Sequence, residues 1–224
     1  MNNIVNSILK ISITGLAGLF LVSCSATQSR NHDFLSSYSG LKKSSSTSGK
    51  VVYKGDLSKL KNYNKIYFEE VKVYQPTEMA KKGIKQSDLN RLQNSFRSSL
   101  QAQARGTRFG VASAPGPQTL SLRAAITDIQ PGDPKVFATG YVPYVGMAGS
   151  AVGAVTGRNP GAGSATVEAE IIDSVSRERF FAGIDQNAGS KLQAKEGMSR
   201  WGHIDKAVEE WSEGLREILM NAKP

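Results

Sequence analysis

Apolar residues recur along this chain with two different periods, and the periods mark its elements. From Ser87 onward the spacing of Leu89, Leu92, Phe96 and Leu100 is helical, with Ser87 placed to cap the first turn and Gly106 to end the run. A stronger helical stripe closes the chain: Ile204, Ala207, Val208, Trp211, Leu215, Ile218 and Leu219 share one face. Gly214 falls in that stripe at a cost of ~1 kcal/mol in helix propensity, which predicts close packing of the helix on a sheet. Elsewhere the period is two. Leu120, Leu122, Ala124 and Ile126 alternate with Thr119, Ser121, Arg123 and Thr127 over about 118–129. Val167, Ala169 and Ile171 alternate with Thr166, Glu168 and Glu170 over about 164–173, and Asp173-Ser174-Val175-Ser176-Arg177 turns that strand into a partner at about 178–185. A short strand near Phe109–Ala112 is set apart by Pro115-Gly116-Pro117. A first strand at about 65–74 changes parity between Ile66, Phe68 and Val71, Val73, which calls for a bulge at Glu69-Glu70.

These elements predict an α+β domain over 51–224: an antiparallel sheet of about five strands with two amphipathic helices packed on one face. A Gly-rich insertion at about 131–163 interrupts it. Residues 140–163 carry Arg158 as their only charge, and Gly149, Gly153 and Gly157 fall four apart, a smooth ridge if the segment is helical. Such a ridge can pack on its own domain, on a second copy or against a bilayer. All three readings stay open.

Ahead of the domain, Ile11, Ile13, Leu16, Ala17, Leu19 and Phe20 build an apolar run that ends in Leu21-Val22-Ser23-Cys24. The run is about a dozen residues long, short of the ~20 that span a bilayer and suited to a signal-peptide core. The combination resembles the bacterial lipoprotein signal, with leucine three residues before the cut and cysteine just after it. That resemblance implies that residues 1–23 are removed, that Cys24 takes a diacylglycerol and that the new N-terminus is acylated. Ser25 in place of an aspartate resembles default sorting to the outer membrane. The n-region departs from the usual pattern in holding only Lys10 as a side-chain charge.

Residues 24–50, with their Ser44-Ser45-Ser46-Thr47-Ser48-Gly49 run, read as a flexible tether, inside which Phe34-Leu35-Ser36-Ser37-Tyr38-Ser39-Gly40-Leu41 forms an apolar island suited to docking on the body or on a partner. The net charge of +9 is concentrated nearby. Residues 25–65 hold Arg30, Lys42, Lys43, Lys50, Lys54, Lys59, Lys61 and Lys65 against Asp33 and Asp56 alone. Beyond residue 65 the chain is nearly neutral. Basic residues beside a lipid anchor fit attraction to anionic head groups; a solvated linker kept soluble by lysine fits equally well. Clustered aromatics are missing, which argues against nucleic acid.

Candidate chemistry is sparse. Cys24 is the only cysteine, so once it is lipidated the body has no thiol for disulfides, metal or nucleophilic attack. His32 and His203 are the only histidines, too few for a histidine metal site, and His203 reads as a surface or capping residue at a helix start. Glu168, Glu170 and Asp173 could be imagined as paired acids, but their alternation with the core face reads as solvated cross-strand partners of Arg123. No cofactor site, metal site or catalytic residue is expected.

Phe34-Leu35-Ser36-Ser37-Tyr38-Ser39, Tyr63-Asn64-Lys65-Ile66-Tyr67 and Val167-Glu168-Ala169-Glu170-Ile171-Ile172-Asp173-Ser174 together resemble the Gram-negative lipoproteins carrying domain of unknown function 3313. The resemblance implies a periplasm-facing lipoprotein and assigns no residue beyond Cys24. Three functions are therefore carried forward. The first is a non-enzymatic accessory or assembly subunit of an envelope complex, held to the outer membrane by lipid and contacting an envelope protein or a second copy. The others are a module binding a lipid or apolar ligand and, weakest, an envelope hydrolase.

Overall fold

The computed structural model describes residues 34–44, 50–74, 81, 83–139, 161–188 and 198–221. Its elements are β1 (Lys42–Lys43), β2 (Lys50–Lys54), a 3-10 helix (Leu57–Asn62), β3 (Lys65–Phe68), β4 (Lys72–Val73), α1 (Gln86–Arg105), β5 (Gly110–Ala112), β6 (Thr119–Gln130), α2 (Pro134–Thr139), β7 (Ser164–Asp173), β8 (Arg179–Ala188) and α3 (Gly202–Asn221).

Among the described residues the strands form one eight-stranded sheet in the order β1-β2-β8-β7-β6-β3-β5, with β4 also paired to β6. This corrects the expectation of about five antiparallel strands. From β1 to β6 the pairing is antiparallel, but β3 runs parallel to both β5 and β6, and β4 runs parallel to β6. The mixture has a simple origin. Parallel neighbours need a crossover connection, and α1 supplies one by carrying the chain back along the sheet between β3–β4 and β5. Alternation along a single strand carries no information about its neighbour's direction.

The parity change in the first strand is real and splits it in two. Phe68 pairs with Leu122 and Lys72 with Ala125, so β3–β4 spends one residue more than β6 over the same stretch. Glu69 N–H still donates to Leu122 O at 3.0 Å across the break.

Both long helices contribute to one core. Leu89, Leu92, Phe96, Leu100 and Ala104 of α1 join Ile204, Val208, Leu215 and Leu219 of α3 over Leu120, Leu122, Ala124, Ile126, Val167 and Ile171 of the sheet. Each Leu, Ile, Val or Phe among them contributes roughly 1.5–3 kcal/mol on burial. The start of α1 lies just before Ser87: the Asp88 carboxylate accepts the Lys85 N–H at 2.9 Å, satisfying an orphan donor there. Arg91 of α1 pairs with Asp205 of α3 at 2.7 Å and lies 5.8 Å from the Trp201 ring centre.

Two side-chain expectations on α3 are corrected. His203 is buried at 4% exposure, because it sits on the inner flank of the first turn beside Ile204. Gly214 does not mark a close approach: a Cβ built there meets nothing within 4 Å. Gly214→Ala should therefore gain about 0.5–1 kcal/mol from helix propensity without a steric penalty, read as an upward shift of the denaturant midpoint. A downward shift would place the helix nearer the sheet than described.

Candidate functional site

The face of the sheet away from α1 and α3 is also covered. Phe34 and Leu35 are buried with Ala125 and Ala182, and Tyr38, Leu41, Tyr53, Tyr74 and Ile184 pack around them. The apolar island thus docks on its own domain as a strap, and what it covers is charged. Arg123 on β6 stands opposite Glu170 on β7, and Ala125 stands opposite Glu168. The cross-strand pairing of Arg123 with Glu170 is as the alternation suggested, but its surroundings are not. Glu168 and Glu170 are 2% and 0% exposed, so the expected solvated acids are buried ones. A buried carboxylate is tolerable only when paired and hydrogen-bonded.

The strap supplies much of that. Glu170 binds the Arg123 guanidinium and accepts the Ser36 hydroxyl at 2.7 Å and the Ser36 N–H at 3.1–3.2 Å. Tyr38 donates its phenol to Glu168 Oε2 at 2.5 Å and accepts the Phe34 N–H at 3.1 Å. Burial, reinforced by Glu168, raises the Tyr38 hydroxyl well above the ordinary phenol range, so it stays a donor. Arg123 reaches outward to Glu69 at 3.3 Å, which also pairs with Arg177 at 3.1 Å, and lies 5.0 Å from the Phe34 ring centre. From β8, Arg179 donates to the Ser37 and Ser39 carbonyls and stacks on Tyr53 at 4.0 Å.

Asp173 is not part of this cluster. It ends β7 and organises the hairpin, accepting the Tyr63 hydroxyl at 2.6 Å and the backbone N–H groups of Ser176 and Val175 at 2.5 and 2.7 Å. Burial pushes its carboxyl upward, but those donors outweigh it and hold the carboxyl below the usual carboxylate range. Tyr63 is raised in return, by burial first and then by Asp173.

Between sheet and helices lies a cavity of about 70 Å³, lined by Phe96, Leu100, Val167, Phe181, Trp211 and Ile218, with Gly214 opening one side. Lys50 and Asp185 form its rim, 3.8 Å apart. Burial raises the Asp185 carboxyl, while Lys50 and the Trp211 indole pull it back. The indole Nε1 is buried yet completes no hydrogen bond of good geometry among the described residues.

Cys24, Gly149, Gly153 and Gly157 lie outside the described residues. Among the described ones, no group of three His, Cys, Asp or Glu is arranged to hold a metal, and no helix is long and apolar enough to cross a membrane. Ser36, Tyr38, Asp185 and Trp211 are the participants that sequence reasoning did not assemble. The signal for the first two was present: a glutamate pair on the non-core side of a strand, and an upstream apolar island, Phe34-Leu35-Ser36-Ser37-Tyr38, suited to docking on the body.

With that geometry in view, the chain's family is plain: residues 30–215 match a family model described as Protein of unknown function (DUF3313), and the chain belongs to that family. Among curated proteins, none matches. Similar solved structures include a PelC dodecamer from Paraburkholderia phytofirmans, 12% identical over 75% of this chain and 96% of that one, at a TM-score of 0.42. A hypothetical protein from Chlamydia trachomatis is 9% identical over 72% and 99%, at 0.41. A DUF4136 family protein from Bacteroides thetaiotaomicron VPI-5482 is 10% identical over 78% and 100%, at 0.39. Likenesses of this depth carry no functional weight.

Removing Arg123 leaves the buried Glu170 carboxyl without its ion-pair partner, so Arg123→Met should cost about 3 kcal/mol or more. Adding Glu170→Gln to that variant should recover a large part, since the acid left without its ion-pair partner is then gone. A denaturant double-mutant cycle with no coupling between the two sites would show that the pair does not hold the strap face together. For Asp173 the sign follows from its lowered value. Its stabilisation is present above the unfolded-state carboxylate pKa of ~4 and is lost as pH falls through the folded value. Asp173→Asn should thus lose ~1–2 kcal/mol at pH 7, with the gap to wild type narrowing below about pH 4. Denaturation midpoints at pH 7 and pH 3 check this.

Proposed function

We propose that this chain is a lipid-anchored envelope protein, held at the outer membrane through Cys24 and facing the periplasm. There it serves as a non-enzymatic accessory or assembly subunit. The observation that carries the reading is the placement of the only cysteine directly after an apolar run and Leu21-Val22-Ser23. The non-enzymatic part draws support from the strap face: Glu168 and Glu170, the acids that could be read as a catalytic pair, are engaged by Tyr38, Ser36 and Arg123. The partner in this reading is an envelope protein or a second copy, with Gly149, Gly153 and Gly157 as the candidate contact.

The cavity behind Trp211 favours the second reading, a module for an apolar ligand. At about 70 Å³ it is well below the ~300–1,000 Å³ of small-molecule sites, so that reading needs it to widen around Gly214.

Expression in a Gram-negative envelope tests the anchor. The mature protein should enter the detergent phase and carry acyl mass on Cys24, while Cys24→Ala should remain unprocessed. Normal mature size and partitioning in the variant would remove the lipoprotein reading. Crosslinking and co-purification from the same envelopes should then yield a stoichiometric partner. A monomer crosslinked to nothing would remove the subunit reading.

A further inference from the structure

The β1–β2 edge carries more positive charge than its place in the sheet requires. Between Phe34 and Gly55 the chain holds Lys42, Lys43, Lys50 and Lys54 and no carboxylate. Lys50 is shared with Asp185 across the rim of the cavity. Lys42, Lys43 and Lys54 are exposed and make no ion pair among the described residues. Lys42 stands opposite Val52 and Lys43 opposite Val51. Directly paired residues share a face, and adjacent residues take opposite faces. The ammonium groups therefore flank the edge on both sides and belong to neither face alone.

An edge lysine or two is an ordinary guard against strand addition. Three exposed lysines without an ion-pair partner among the described residues go further, and their position is informative. They follow directly on the strap, whose first residue, Phe34, is ten positions from Cys24. A chain of that length spans at most ~35 Å, so an acylated Cys24 confines the strap to the membrane's vicinity.

We infer that this edge rests on anionic phospholipid, with Lys42, Lys43 and Lys54 meeting headgroup phosphodiesters in the membrane that holds the anchor. The inference rests on the lipid-anchored reading above and adds an orientation to it: the domain stands on its β1–β2 edge. Each lysine close to such a surface multiplies partitioning about five-fold at low salt, and the three together about a hundred-fold. The attraction decays within a Debye length, so salt should abolish it.

The test uses the full lipidated protein on vesicles of pure phosphatidylcholine and of phosphatidylcholine with about one third phosphatidylglycerol. Flotation reads the anchor, and amine acylation followed by mass spectrometry reads each lysine. Lys42, Lys43 and Lys54 should label about five-fold more slowly on the anionic vesicles. Lys72, Lys85 and Lys135, exposed elsewhere, should label alike on both. Half-molar sodium chloride should erase the difference, and Lys42→Glu with Lys43→Glu should restore labelling at Lys54. Equal labelling on both vesicles, with the protein afloat on both, would overturn the inference and leave the anchor standing. Flotation on anionic vesicles alone, with the same lysines protected, would remove the anchor and keep the edge. Protection found in native envelopes but on neither vesicle would overturn the lipid in favour of an acidic protein surface.

Discussion

A charge pair placed in the middle of the sheet governs the architecture around it. Arg123 and Glu170 face each other on β6 and β7, on the side that the helices do not cover. Left open, that face would present a polar row flanked by Ala125 and Ala182. Sealed without partners, it would bury charge at prohibitive cost. Phe34–Leu41 resolves both demands, because Phe34 and Leu35 cover the alanines while Ser36 and Tyr38 bring hydroxyls to the two glutamates. Arg179, at the start of β8, holds the strap's carbonyls from the side. The sheet thereby becomes a middle layer with helices on one side and chain on the other.

The parallel half of the sheet is what makes room for this. Because β3 lies beside β6 rather than next to a hairpin partner, β6 gains a neighbour on each side and becomes a central strand. Both of its faces are then available for burial: Thr119, Ser121 and Thr127 are buried on one side as Leu120 and Ile126 are on the other. The same centrality keeps Glu170 dry.

Much of the fold was legible before the structure. The helices around Leu92 and Phe96 and around Ile204 and Leu215, the β7–β8 hairpin and the parity change at Glu69-Glu70 all follow from local periodicity, which sequence records directly. The strand count and direction do not, because β1, β4 and β5 are two or three residues long and strand pairing depends on residues far apart. Burial of Glu168 and Glu170 was misread for a related reason. Alternation says which residues share a face, but not whether a distant segment will cover it. Gly214 was misread differently: a missing side chain signals either close packing or empty space, and spacing alone does not distinguish them. Of the candidate site, the two glutamates and Arg123 could be named in advance. Their partners could not, since Ser36 lies 134 residues before Glu170.

That separation also constrains the order in which the molecule can assemble. The strap emerges first in synthesis, yet the strands it lies on, β6, β7 and β8, come last but for α3. β2 likewise waits for β8. Contacts of such long range close slowly, since the loop entropy is spent before any contact rewards it. Until β7 and β8 are made, Phe34–Leu41 lacks part of the surface it packs on. A chain built this way closes its strap only once the strands beneath it exist, so the sealing of Glu168 and Glu170 from water belongs to the late steps of folding.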